Sequence, residues 1–145
     1  MSQVLLLTAD KPLPLCDRQE ERMQTVTVGA ASVSVTVPAG FAVREHSYYR
    51  DAVEELDYSM KPWQYELELE PDETDLAALR CYLEGNFASG EEVELWNLWV
   101  GDDALARPAC YHGELAAFDM DALRQLLTPP QKDGGIGQCR MRIVI

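Results

Sequence analysis

Positive charge is scarce in this chain: 12 Lys and Arg stand against 25 Asp and Glu, a formal net charge of -13 with both histidines neutral. A surface of that sign repels phosphate backbones and anionic headgroups, so neither nucleic acid nor a membrane is an expected partner. A basic protein partner is compatible with that sign, while net charge speaks first to solubility. Histidine is scarce too, with only His46 and His112. The four cysteines, Cys16, Cys81, Cys110 and Cys139, are widely spaced and form no Cys-x-x-Cys pair, which argues against a zinc ribbon or a thioredoxin-like redox site. They are expected to be thiols in a reducing cytoplasm. Long hydrophobic runs are also missing. The apolar stretch from Val4 to Thr8 has no basic segment before it, and Asp10 ends it. Neither an export signal nor a membrane span is expected there.

The remaining composition is that of a chain able to bury a core: 145 residues, 47% hydrophobic and 26% charged. The expectation is a single domain over 1–145. The run at Val4–Thr8 suits a strand buried on both faces. From Gln24 to Val37 a valine period of two, broken at Gly29-Ala30-Ala31, predicts an antiparallel hairpin with valines inward and hydroxyls outward. Tyr48, Tyr49, Ala52, Val53 and Leu56 have helical spacing after Ser47, a candidate N-cap.

The second half alternates elements. Trp63, Tyr65, Leu67 and Leu69 interleave with Gln64, Glu66, Glu68 and Glu70, predicting a strand with one acidic face. Asp72 is positioned to cap a helix carrying Leu76, Leu79, Leu83 and Phe87, with Gly85 or Gly90 closing it. Strands follow over Glu91–Val100 and Ala109–Ala116, with a turn at Gly101-Asp102-Asp103 between them. A helix capped by Asp119 comes next, then a turn at Asp133-Gly134-Gly135 and a last strand over Gln138–Ile145. The fold expected is therefore α+β, with an antiparallel or mixed sheet. Residues 61–145 form a ferredoxin-like βαββαβ unit, and residues 1–60 supply a preceding strand, β-hairpin and short helix. In that order the Trp63 strand lies between the last strand and the Ala109 strand. Glu66, Glu68 and Glu70 would then face Arg140 and Arg142 on one side and Cys110, His112 and Glu114 on the other.

Three segments carry a resemblance: Asp10-Lys11-Pro12-Leu13 after an apolar strand, Trp63-Gln64-Tyr65-Glu66-Leu67-Glu68, and Val93-Glu94-Leu95-Trp96-Asn97-Leu98-Trp99. Together they resemble a group of small uncharacterised bacterial proteins over most of the chain. That resemblance implies no activity.

Candidate functional residues fall into two sets. The strand at Glu91 loses its alternation at Trp96-Asn97-Leu98-Trp99. Three readings fit: a bulge near Asn97, a second face covered by the N-terminal segment, or an exposed patch at Trp96 and Leu98. The core reading is favoured; on an exposed patch, Trp96 and Leu98 would join Glu66 and Glu68 as interaction candidates. The second set is His112 and Cys110, ligand types two apart on a strand, with Tyr48 and Tyr58 as pocket aromatics beside Tyr49 and Trp63. Two ligands do not complete a zinc site, and no Ser, His and Asp arrangement can be assembled. Hence no catalytic residue, metal or cofactor is assigned. The reading leans away from an enzyme. It favours a cytoplasmic interaction module, of inhibitor or immunity type in one version, that meets a basic protein or a second copy of itself. The rival is a small-molecule sensing or enzymatic domain with an aromatic-lined pocket.

Overall fold

The computed structural model describes residues 2–101, 107–131 and 136–145. It is an α+β structure built on a mixed, mostly antiparallel sheet. The elements in chain order are β1 (Ser2–Ala9), β2 (Cys16–Asp17), β3 (Glu20–Val28), β4 (Ala31–Ala39), β5 (Ala42–Glu45), α1 (Arg50–Glu54), β6 (Trp63–Glu68), α2 (Glu73–Asn86), β7 (Glu92–Val100), β8 (Ala109–Glu114), α3 (Met120–Leu127) and β9 (Cys139–Val144). The main sheet runs β2-β5-β6-β1-β7-β9-β8, and β3 and β4 form a separate two-stranded ribbon. The turns expected at Gly101-Asp102-Asp103 and Asp133-Gly134-Gly135 extend outside the described residues.

The helix signals act as the sequence suggests, since the Asp72 carboxylate accepts from Asp75 N at 2.8 Å and the Asp119 carboxylate from Ala122 N at 3.0 Å. Each satisfies an amide that has no partner within its helix. Helix α2 ends on Phe87 in extended conformation, so neither Gly85 nor Gly90 closes it.

The strand order corrects the ferredoxin-like unit. Strand β6 pairs with β5 and β1, and β9 pairs with β7 and β8. The two strands expected to be adjacent are thus separated by β1 and β7. The reason lies in burial. A strand covered on both faces buries consecutive residues, as β1 does from Leu6 to Ala9 and β7 from Val93 to Leu98. They pair along Ser2–Thr8 with Val100–Glu94 and take the sheet's centre. Strand β1 is thereby inserted between β6 and β7, which run parallel to each other and are joined through α2.

One face of the sheet carries the larger core. There Leu7, Leu67, Leu95 and Ile143 meet Leu79 and Leu83 of α2 and Leu123 and Leu126 of α3. The other face has a smaller core of Val4, Leu6, Trp96, Leu98 and Val100, covered by Val53 with Tyr49, Ala52, Leu56, Tyr58 and Met60 around it. The 46–60 segment is therefore a strap across the middle of the second face.

The hairpin is longer than the valine period indicated, and its expected inward face is corrected. Val26, Val28, Val33 and Val35 all remain exposed. Gly29, at φ +63, supplies the left-handed turn residue.

Candidate functional site

The strap places most of the second face's surface chemistry, and its local structure is short-range. Ser47 contributes its carbonyl rather than its hydroxyl, accepting from Arg50 N at 3.3 Å, and Tyr49 O accepts from Val53 N at 2.9 Å. No side chain caps α1, which corrects the expected Ser47 N-cap. After α1 the chain reverses through Asp57 at φ 54, the only non-glycine residue with positive φ among the described residues. Left-handed backbone at a non-glycine residue costs energy, though Asp tolerates it better than most.

Burial divides the strap by face. Val53 is buried, and Tyr49, Ala52, Leu56 and Tyr58 are partly covered. Glu45, Asp51, Glu54, Glu55, Asp57 and Tyr48 point to solvent, Tyr48 at 84% exposure. The Tyr48 ring meets Tyr49 edge-on at 4.7 Å. Over 45–57 five carboxylates face one guanidinium, Arg50, whose Nε lies 3.6 Å from Glu54. Elsewhere several cations are neutralised internally: Lys11 by Glu91, Arg22 by Asp72 and Asp75, Arg44 by Asp17 and Glu68, and Lys61 by Asp10. The surplus acid therefore reaches solvent uncompensated, and the strap concentrates it beside an exposed aromatic.

Trp96 and Leu98 are core, not patch. They are 3% and 0% exposed, and the β1–β7 register runs through Asn97 without a bulge. Of the three readings, coverage of the second face holds, and the covering residues belong to the strap. Tyr58 stacks on Trp96 with centroids 6.0 Å apart, and the Arg140 guanidinium lies 5.1 Å from the same ring. Trp96 Nε1 donates to Glu94 at 3.2 Å. Glu94, 3% exposed, also accepts from Arg140 at 2.9 Å, with Arg142 at 3.6 Å. Its hydrogen bond holds the Arg140 guanidinium more firmly charged.

The expected pairing of Glu66 and Glu68 with Arg140 and Arg142 is thus corrected. Arg140 and Arg142 belong to Glu94 and Glu92, whereas Glu68 binds Arg44 at 3.1 Å and accepts from Gln19. Cys110 and His112 do lie beside Arg140 and Arg142 across the β8–β9 ladder, but both are exposed. The acidic strand they were expected to face is three strands away from β9 in the sheet. Among the described residues, no group of three or more His, Cys, Asp or Glu side chains is placed to hold a metal ion.

His46 was outside the candidate set. It is 4% exposed, and neither ring nitrogen makes a hydrogen bond; Nδ1 lies 3.6 Å from Glu66 Oε1, which is also unpartnered. Burial pushes this imidazole below its ordinary range, against the pull of Glu66. It lines a groove of about 850 Å³ with Ser47, Arg50, Trp63, Gln64 and Tyr65. Of the aromatics named as pocket candidates, Trp63 reaches this groove, while Tyr58 packs on Trp96. A lone histidine next to serine and tyrosine gives no sequence signal for such a position.

Comparison with protein-family models, with curated proteins and with solved structures finds no match. Its resemblance to small bacterial proteins therefore brings no family and no activity. No helix among the described residues is long and apolar enough to cross a membrane.

Proposed function

We propose that this protein is a non-catalytic interaction module whose strap docks a basic protein partner. The observation that carries this reading is the exposed row of Asp51, Glu54, Glu55 and Asp57 beside Tyr48. The carboxylates supply long-range attraction to a cationic face, which raises association rates. Tyr48 supplies a large contact at low conformational cost, as aromatic anchors do at interface centres. The strap rests on the second core, so the surface is held in place before the partner arrives. An inhibitor or immunity-type role against a basic effector fits this arrangement.

The test compares wild type with the triple variant Asp51→Lys, Glu54→Lys, Glu55→Lys as bait in lysate of the native host, at low and raised salt. A basic protein retained stoichiometrically by wild type, released by salt and absent from the variant, supports the reading. Equal recovery by both baits refutes it, provided the variant retains its melting temperature.

The orphaned His46 favours a second reading, in which the groove beside it takes a small polar molecule. Gln64 would supply a hydrogen bond there and Trp63 a stacking face, and a rotation of the His46 ring would bring one of its buried nitrogens to the ligand. Screening small polar ligands by thermal shift tests it. A stabilising ligand lost on Trp63→Ala and on His46→Phe supports this reading, and a ligand indifferent to both removes it.

A further inference from the structure

Between Arg22 and Arg44 the sequence carries no charged residue, and all of the ribbon β3–β4 beyond its base at Glu20, Glu21 and Arg22 lies within that stretch. Cross-strand partners share a face. Val26 stands opposite Val33, Val28 opposite Ala31 and Gln24 opposite Val35, so four valines form one apolar row. Val28 is 70% exposed and Val33 54%. The opposite face holds Thr25, Thr27, Ser32 and Ser34. Only the base of the ribbon is tied to the body, through Arg22 on Asp72 and Asp75 at 3.0 and 3.1 Å. Gly40, at φ +135, lets the return strand pass so close that a Cβ would lie 3.0 Å from Arg18 O. A two-stranded ribbon with both faces in water is marginal by itself. Its edges between Met23 and Val37 also lack the lysines and prolines that normally guard exposed strands.

We propose that the valine face of this ribbon is the surface on which two copies of the chain associate, ribbon stacked on ribbon about a two-fold axis. Charge selects the occupant. Each copy carries a formal charge of -13, so most contacts between copies would bring carboxylates together. The ribbon avoids that repulsion, whereas it offers a basic partner no electrostatic attraction. A two-fold contact sets the same patch against itself, which suits an uncharged face made mostly of valine. The five residue pairs from Gln24 with Val35 to Val28 with Ala31, at about 3.3 Å each and two strands wide, give a footprint of roughly 160 Å² per copy, or about 320 Å² in total. That is below the roughly 1,200 Å² of stable complexes, so the dimer is weak and exchanges with monomer.

Sedimentation of the full chain from micromolar to millimolar concentration, at low and high salt, tests the proposal. Wild type should dimerise reversibly, and more strongly as salt screens the repulsion between copies. The triple variant Val26→Thr, Val33→Thr, Val35→Thr should keep the melting temperature, because these valines lie outside both cores, while its dimer weakens roughly tenfold or more. Val33→Lys alone should weaken it similarly, by placing a charge in the apolar row. A wild type monomeric at millimolar concentration, a dimer indifferent to these substitutions, or an open series of oligomers formed by edge pairing would each overturn the proposal. Failure here is separable from failure at the strap. Strap docking weakens with salt and depends on Asp51, Glu54 and Glu55, whereas ribbon association strengthens with salt and does not depend on them.

Discussion

Replacing Trp96 by alanine tests the second core, because this side chain connects the sheet, the strap and the buried charges. At 3% exposure an indole withdraws roughly 200 Å² from water, and at about 25 cal/mol per Å² that is about 5 kcal/mol. Large-to-small substitutions of buried aromatics cost about 3–5 kcal/mol, so the two routes agree. The truncation also leaves Tyr58 without its stacking partner, Glu94 without one donor and Arg140 without the ring face. For a chain of this size each kcal/mol lowers the melting temperature by about 3 °C, so Trp96→Ala should melt about 10–15 °C below wild type. Thermal and urea unfolding followed by circular dichroism give both numbers. Trp63→Ala is the internal control: Trp63 is 46% exposed, and by the same area coefficient its loss should cost roughly half as much. If Trp96→Ala melted within a degree or two of wild type, or no lower than Trp63→Ala, the indole would not be holding strap to sheet and the second core would be wrongly placed.

Three further outcomes are expected. Burial depresses the His46 pKa in the folded state, so the unfolded chain takes up the proton first, and stability falls as pH drops through the ordinary imidazole range; melting curves above and below that range should converge for His46→Asn, and an unchanged difference would refute the assignment. Cys139 is buried and its thiol is pushed up to about 12, whereas Cys81 and Cys110 are exposed, so maleimide should label those two in the folded protein and Cys139 only after denaturation; labelling at equal rates would contradict the burial. Gly137→Ala should destabilise strongly, since its Cβ would lie 2.5 Å from the carbonyl oxygens of both Pro129 and Pro130; a melting temperature near wild type would show that this crossing is looser than described.

Features that depend on near neighbours in the chain are legible in the residues alone. The carboxylates of Asp72 and Asp119 announce helix starts because a cap acts within three residues. The valine rows of β3 and β4 and the alternation of β6 announce strands because side chains on extended backbone point alternately to opposite faces. The uncompensated acid was legible too, as net charge is a sum over residues.

Pairing across the sheet was not legible, because it depends on which strands compete for the centre. Two acidic strands, β6 and β7, and more than one source of arginine allow several charge pairings of comparable merit. Tertiary structure decided among them by burying β1 and β7 on both faces, which brought Glu94 to Arg140 and gave Glu68 to Arg44. The same decision buried Trp96 and Leu98 under the strap and turned Tyr48 with its neighbouring carboxylates outward. It also left the valine ribbon without a core, because α2, α3 and the strap already cover the sheet. Alternation predicts that a strand has an apolar face; whether the rest of the chain can cover that face is settled only when all the elements are packed together.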